Sequence, residues 1–315
     1  MERKLLLKTA FVFSGQGAQY NGMGLEIYEN NSRVQEIFEE ASDKLHVNMK
    51  QLCFQDDPKL HITPYTQPAV LTLSHAIEEL IKAEGFTPNV VGGLSLGEYT
   101  ALVSSQALTF SDAVTLVHKR GTLMEEAVPN GEGKMAAIIG LDASVVEEIC
   151  KEVSLVNYVG ISNYNTPSQL VISGEASGVE KAVSKAEQAG AKRVVELNVS
   201  GPFHSEMLKP AAELFNKELE QTTIYLPNYP VYSNVTAQPY PNKEQIIDLL
   251  TKQIYSPVKF EQMINQMISD GVDTFIEIGP GKTLRSFIKS IDRTVTVKNV
   301  EKESQFKKVI ELLNK

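Results

Sequence analysis

The chain has only two cysteines in 315 residues, Cys53 and Cys150, far apart and without metal-ligand spacing. Their scarcity argues against a disulfide framework and a structural zinc; a reducing, cytoplasmic compartment is expected, with each thiol a small core residue. No apolar run is long enough to cross a bilayer, so no membrane span is expected. The opening Met1-Glu2-Arg3-Lys4-Leu5-Leu6-Leu7 is interrupted by Lys8, and no small-residue cleavage site precedes Ser14. It therefore reads as part of a buried first strand rather than a signal peptide. Positive charge is also short: 30 Lys and Arg against 39 Asp and Glu leave a net charge of -9. That balance argues against a nucleic-acid backbone as partner, which needs clustered cations. Internal repeats and low-complexity segments are absent as well. What remains is an ordinary globular composition, 42% hydrophobic and 22% charged, long enough for one large domain or one domain with an insertion.

The stretch around which the chain is organised is Val90-Val91-Gly92-Gly93-Leu94-Ser95-Leu96-Gly97-Glu98-Tyr99. It reads as strand, sharp turn and helix. The Gly93-x-Ser95-x-Gly97 spacing suits a nucleophile elbow, with the serine exposed at a helix N-terminus whose free N–H groups face any oxyanion formed there. Alone, the same spacing also fits a glycine-rich turn.

Around it, apolar periodicity predicts a strand at 5–13 running into the glycine loop Ser14-Gly15-Gln16-Gly17, then helices at 32–45 and 67–84. A further helix, capped by Ser111-Asp112, carries Val114, Leu116, Val117 and Met124 inward. Pro129-Asn130-Gly131-Glu132-Gly133 is the clearest linker. After it the order is strand 134–141, helix 143–153, strands 159–164 and 169–173, helix 177–190 and strand 192–198. This βαββαβ order is that of a ferredoxin-like unit. Helices at 206–221, 243–254 and 259–269 and strands at 231–234 and 274–278 follow, then a C-terminal strand and helix. The expected fold class is α/β: a large α/β-hydrolase-like domain with a mainly parallel sheet over 1–132 and 200–315, and an inserted ferredoxin-like subdomain over 133–199.

A serine nucleophile needs a base. Of the five histidines, His46, His61 and His75 fit surface or packing roles. His118 and Arg120 lie two apart on one helix, so at most one faces a given site. His204 sits in Ser200-Gly201-Pro202-Phe203-His204-Ser205, a rigid loop of the kind that carries catalytic groups. No acid stands out downstream to orient it. Gln253, at a helix end stopped by Pro257, offers an amide or a backbone carbonyl instead. Gly279-Pro280-Gly281-Lys282-Thr283 lacks the Walker A spacing, since Ile276 stands where a glycine is required. The helix behind it carries Lys282, Arg285 and Lys289 on one face, either solvated or meeting an acidic partner.

Taken in order, these pieces resemble the malonyl-CoA:acyl carrier protein transacylases over nearly the whole chain. The matching segments are Gly15-Gln16-Gly17-Ala18-Gln19, Thr66-Gln67-Pro68-Ala69, Gly93 to Tyr99, Arg120-Gly121 with Met124, Asn163 to Gln169, Pro202 to Ser205, Gln253 before Pro257-Val258, and Ile278 to Lys282. The resemblance implies Ser95 as acylated nucleophile, His204 as base and Gln253 as the residue orienting it. It further implies the Gln16 and Leu96 backbone N–H groups as oxyanion hole and Arg120 as partner of the malonyl carboxylate. Met124, Asn163 and Asn165 are implied as substrate-binding positions, and Phe203 as the bulk that leaves no room for an α-methyl branch. No metal and no cofactor are expected; the partners implied are malonyl-CoA and a holo acyl carrier protein. One departure is Leu94, where the family commonly has histidine. The rival reading is a thioesterase-like editor that hydrolyses carrier-bound acyl groups. Whether the carrier serves fatty-acid, polyketide or hybrid peptide synthesis is open.

Overall fold

The computed structural model of the protein describes residues 7–129, 131–199 and 201–314. The chain runs β1 (Thr9–Phe13), α1 (Leu25–Asn30), α2 (Ser32–Leu45), α3 (Met49–Phe54), α4 (Thr63–Ala83), β2 (Val90–Gly93), α5 (Leu96–Ser104) and α6 (Phe110–Glu126). It continues with β3 (Gly133–Ile139), α7 (Ala143–Val153), β4 (Val159–Thr166), β5 (Gln169–Glu175), α8 (Ala176–Gln188) and β6 (Arg193–Glu196). It closes with α9 (Lys209–Gln221), α10 (Glu244–Gln253), α11 (Phe260–Ser269), β7 (Thr274–Ile278), α12 (Thr283–Ile291), β8 (Thr296–Val300) and α13 (Glu303–Leu313). The expected start of the first strand, Leu5 and Leu6, lies outside the described residues. No helix among the described residues is long and apolar enough to cross a membrane.

The first sheet has the order β2-β1-β7-β8, with every pair parallel. Its central strand is buried on both faces, which is why the sequence shows a continuous apolar run there instead of alternation. The period of two still sorts its side chains: Phe11 and Phe13 enter one apolar layer and Ala10 and Val12 the other. The first layer is covered by α2, α4, α5 and α6, the second by α11 and α12.

The second sheet, β4-β5-β3-β6, is antiparallel throughout. One face packs on α7 and α8 through Ala136, Ile138, Ile172, Val146 and Val179. The opposite face presents Met135, Ala137 and Val171 to the main core. That face forms one wall of a cleft whose other wall is the C-terminal end of the parallel strands.

Three expectations are corrected. The stretch 231–234 makes only isolated bridges, because Asn234 turns away to give its backbone N–H to Glu98. Helix α6 is capped by Thr109, whose hydroxyl accepts from the Asp112 N–H, rather than by Ser111-Asp112. Helix α4 begins at Thr63, not Gln67, and runs through Pro68. Proline cannot donate to the Pro64 carbonyl four residues back. The His118 Nδ1–H does so instead, at 2.8 Å.

Candidate active site

Strand β2 delivers Ser95 into a left-handed turn, φ 53° and ψ -100°, and α5 begins at the next residue. A Cβ on Gly93 would collide with the Gly97 backbone, and one on Gly97 with the Phe13 carbonyl. The two glycines therefore serve close approach, which lets the helix leave the strand sharply. The turn is pinned by Asn234, whose Oδ1 accepts from the Ser95 N–H at 2.7 Å while its Nδ2 donates to the Gly93 carbonyl at 2.7 Å.

Ser95 Oγ lies 2.7 Å from His204 Nε2. His204 occupies a left-handed backbone conformation (φ 57°) and is buried. Its Nδ1 donates to the Gln253 carbonyl at the end of α10, 2.7 Å away. A carbonyl only accepts, so in the neutral ring Nε2 is left as the acceptor facing the serine hydroxyl. Burial first, and then the Arg120 charge, push the imidazole down to about 3.

Arg120 projects from α6 and is 1% exposed. Its Nη2 donates to Ser95 Oγ at 3.0 Å and to Gln253 Oε1 at 3.0 Å, and its Nη1 to Gln67 Oε1 at 2.9 Å. The guanidinium lies 5.2 Å from the Tyr99 ring centroid. Its Nε has no hydrogen-bond partner, and among the described residues no carboxylate stands within ion-pair distance. The cation is hydrogen-bonded only to neutral oxygens and has no direct ion-pair partner; Glu98 acts on it only through space.

The backbone N–H groups of Gln16 and Leu96 have no protein acceptor among the described residues. Gln16 is held by its side chain, which donates to Thr63 Oγ1 at 3.2 Å and accepts from Gln67 Nε2 at 3.4 Å. Met124, Asn163, Asn165 and Phe203 all line the same cleft, of about 370 Å³. Asn165 Oδ1 is buried there without a partner. All ten residues singled out from the sequence are thus gathered at or beside one cleft. Leu94 lines it too, its side chain packed with Phe287 against the apolar layer under α12.

The other histidines go elsewhere. His75 is buried and stacked on Phe110 at 4.7 Å, His118 holds Pro64, His46 caps α2, and His61 stands at the cleft rim. The Gly279–Thr283 loop is no open phosphate cradle: Glu277 already accepts from the Leu284 and Arg285 N–H groups at the head of α12. Of the basic stripe, Arg285 bonds Asn299 and Lys289 bonds the Val295 carbonyl, so both are tied into the fold. Residue-by-residue reading of the sequence missed Gln67 and Asn234, polar side chains whose work is done across 53 and 139 residues of chain.

An elbow serine beside an imidazole that is held by a carbonyl, at the floor of a cleft, is an arrangement that can support nucleophilic catalysis. The acyl transferase domain family matches residues 10–307. The chain is similar to the malonyl CoA-acyl carrier protein transacylase of Bacillus subtilis (strain 168), 48% identical over 299 residues, covering 93% of this chain and 94% of that protein. It is similar to the crystal structure of MCAT from Streptococcus pneumoniae, with a TM-score of 0.93 at 45% identity, covering 97% and 100% of the two chains. It also matches a malonyl-transacylase solved in complex with its holo type II polyketide synthase acyl-carrier protein, with a TM-score of 0.95 at 38% identity, covering 97% and 99%. The chain belongs to the malonyl CoA-acyl carrier protein transacylase family and is an acyltransferase.

Proposed function

We propose that the enzyme moves a malonyl group from malonyl-CoA to the phosphopantetheine thiol of a holo acyl carrier protein by way of a Ser95 ester. The observation that carries this reading is Arg120, a buried cation with no direct ion-pair partner, 3.0 Å from the serine oxygen. A malonyl carboxylate is the anion that a three-carbon diacid esterified at Ser95 would bring there, and a guanidinium can hold it bidentately. Each charge-assisted bond of this kind contributes about 1.5–3 kcal/mol.

In the first half-reaction His204 takes the Ser95 proton as Oγ attacks the thioester carbonyl. The Gln16 and Leu96 N–H groups hold the oxyanion, each donor lowering the barrier by about 2.7–4 kcal/mol. The tetrahedral intermediate collapses, and His204 returns the proton to the departing CoA sulfur. The carrier thiol then repeats the sequence in reverse. The exchange is thioester for ester for thioester, so the chemistry calls for no metal and no cofactor. Met124, Asn163 and Asn165 would border the acyl and pantetheine arm, and Phe203 the α-carbon.

We further assign the parallel-sheet part, 1–132 and 200–315, as an α/β-hydrolase-like domain and 133–199 as a ferredoxin-like subdomain, on the strand order 4-1-3-2 within the inserted unit. Leu94 makes one wall of the pocket apolar and leaves the base untouched, because His204 comes from another loop. A hydrolytic editor of neutral acyl groups would gain nothing from Arg120.

The test is intact-protein mass spectrometry after exposure to malonyl-CoA. One malonyl adduct is expected, absent in Ser95→Ala and discharged by a holo carrier protein. Stoichiometric labelling of Ser95→Ala would overturn Ser95 as nucleophile, and discharge by water at the same rate with or without carrier would favour hydrolysis.

A further inference from the structure

Directly behind the catalytic groups lies a carboxylate that the mechanism above does not use. Glu98, in the first turn of α5, is fully buried. Its Oε2 accepts from Gln253 Nε2 at 2.6 Å and from the Asn234 backbone N–H at 3.1 Å, and its Oε1 from the Tyr240 hydroxyl at 2.5 Å. Every neighbour that reaches it donates, which is the environment of an ionised, acceptor-only carboxylate.

The Gln253 amide is therefore held at both ends, its oxygen by the Arg120 cation and its nitrogen by Glu98. That arrangement fixes which way the amide points and anchors the residue whose backbone carbonyl orients His204. Asn234, tied to the same carboxylate, pins the elbow. One buried anion thus reaches both halves of the Ser95–His204 pair.

We propose that Glu98 is a positioning residue of the acyl-transfer site: through Gln253 it holds His204 in line with Ser95, and its negative charge offsets Arg120 when the imidazolium forms. It takes the place of the missing triad acid at one remove. The proposal rests on the function assigned above. The charged and titratable groups that face Glu98 are Arg120 from α6, Tyr99 from its own helix and Tyr240 from the segment before α10, with His204 beyond Gln253. Burial raises the Glu98 carboxyl to about 7, against the pull of its donors. Falling pH therefore protonates it and withdraws the charge while His204 is still neutral.

The experiment is single-turnover acylation of Ser95 by malonyl-CoA, followed by mass across pH 5.5–9 in about half-unit steps. In the unaltered enzyme the rate should fall as pH drops through about 7. Glu98→Gln should be at least about tenfold slower at pH 8, short of the ~10²–10⁴-fold expected for losing the base itself, and its rate should no longer fall on acidification. Tyr240→Phe removes one donor but no charge, so it should shift the same acid limb to higher pH. Should Glu98→Gln fail to fold, Tyr240→Phe decides alone. An unmoved limb in Tyr240→Phe, or an unaltered rate and limb in Glu98→Gln, overturns the proposal. Absence of acylation in the unaltered enzyme sinks the functional reading and this one together; normal acylation with an unmoved limb sinks only this one.

Discussion

The Arg120 Nη2 donates to Ser95 Oγ at 3.0 Å, on the same oxygen that faces His204 Nε2 at 2.7 Å. That oxygen is thus shared between an imidazole and a cation. An incoming carboxylate would draw the guanidinium toward itself, whereas a neutral acyl group leaves it on the serine and on two amide oxygens. Discrimination then follows from what the wrong substrate fails to satisfy.

Arg120→Ala should lower kcat/KM for malonyl-CoA by about tenfold to hundredfold for each charge-assisted bond lost, with little loss for acetyl-CoA. Arg120→Lys should recover only part of it, because an ammonium lacks the planar fork. The check is the ratio of Ser95 acylation rates with the two thioesters. An unchanged ratio removes Arg120 from substrate selection.

Gly97 tests the elbow separately from the chemistry. Its φ lies outside the left-handed region, so glycine is required there for space and not for torsion. A Cβ would meet the Phe13 carbonyl, a strand backbone atom that cannot swing aside. Gly97→Ala should cost about 1–3 kcal/mol or more, read as a lowered urea midpoint at unchanged slope, and should displace Ser95 enough to slow acylation. Gly17→Ala would meet nothing within 4 Å and carries only the torsional strain of φ 97°.

Periodicity placed most elements well, because helices such as α2 and α7 bury one stripe whose spacing is local. It failed at 231–234, where apolar residues promised a strand but Pro230 and a distant carboxylate decide the path. The pair Ser95 and His204 was legible because each stands in a rigid glycine or proline turn. No acid stood out downstream, since His204 bonds a backbone carbonyl, that of Gln253, and any residue type supplies a carbonyl. Glu98 did carry a signal, as a lone charge inside the apolar run 94–103, which only a buried partner set explains.

Phe203 sits beside His204, buried, with its ring lining the cleft. A methyl branch on the substrate α-carbon would compete with that ring for space. Phe203→Ala should raise methylmalonyl-CoA acylation relative to malonyl-CoA by about tenfold or more, the value of one methyl group in a fitted pocket. It should also destabilise the fold by about 3–5 kcal/mol, so the ratio is to be measured below the onset of unfolding. A ratio that stays put would show that another wall sets the limit.

Stability should depend on pH in a way that two buried histidines and three buried glutamates determine. Burial lifts Glu78, Glu98 and Glu277 from an ordinary 4.5 to about 7. It lowers His75 and His204 from 6.5 to about 3. Between pH 7 and 4.5 the folded chain holds protons on the glutamates that the unfolded chain releases, so acidification stabilises through them; that contribution is lost as pH rises through 7. Between 6.5 and 3 the unfolded chain protonates the histidines and the fold refuses, so acidification destabilises through them. From 6.5 down to 4.5 the three glutamates outweigh the two histidines by one proton, so acidification still stabilises the fold there, and below 4.5 only the histidine contribution remains. Urea unfolding across pH 3–8 should therefore give greatest stability near pH 5, with a steep fall below 4.5. His75→Leu removes one of the two histidines from a site stacked on Phe110, without touching the cleft. It should flatten that acid limb by about 1.4 kcal/mol per pH unit. An unchanged slope would mean that His75 takes up its proton in the folded chain as readily as in the unfolded one.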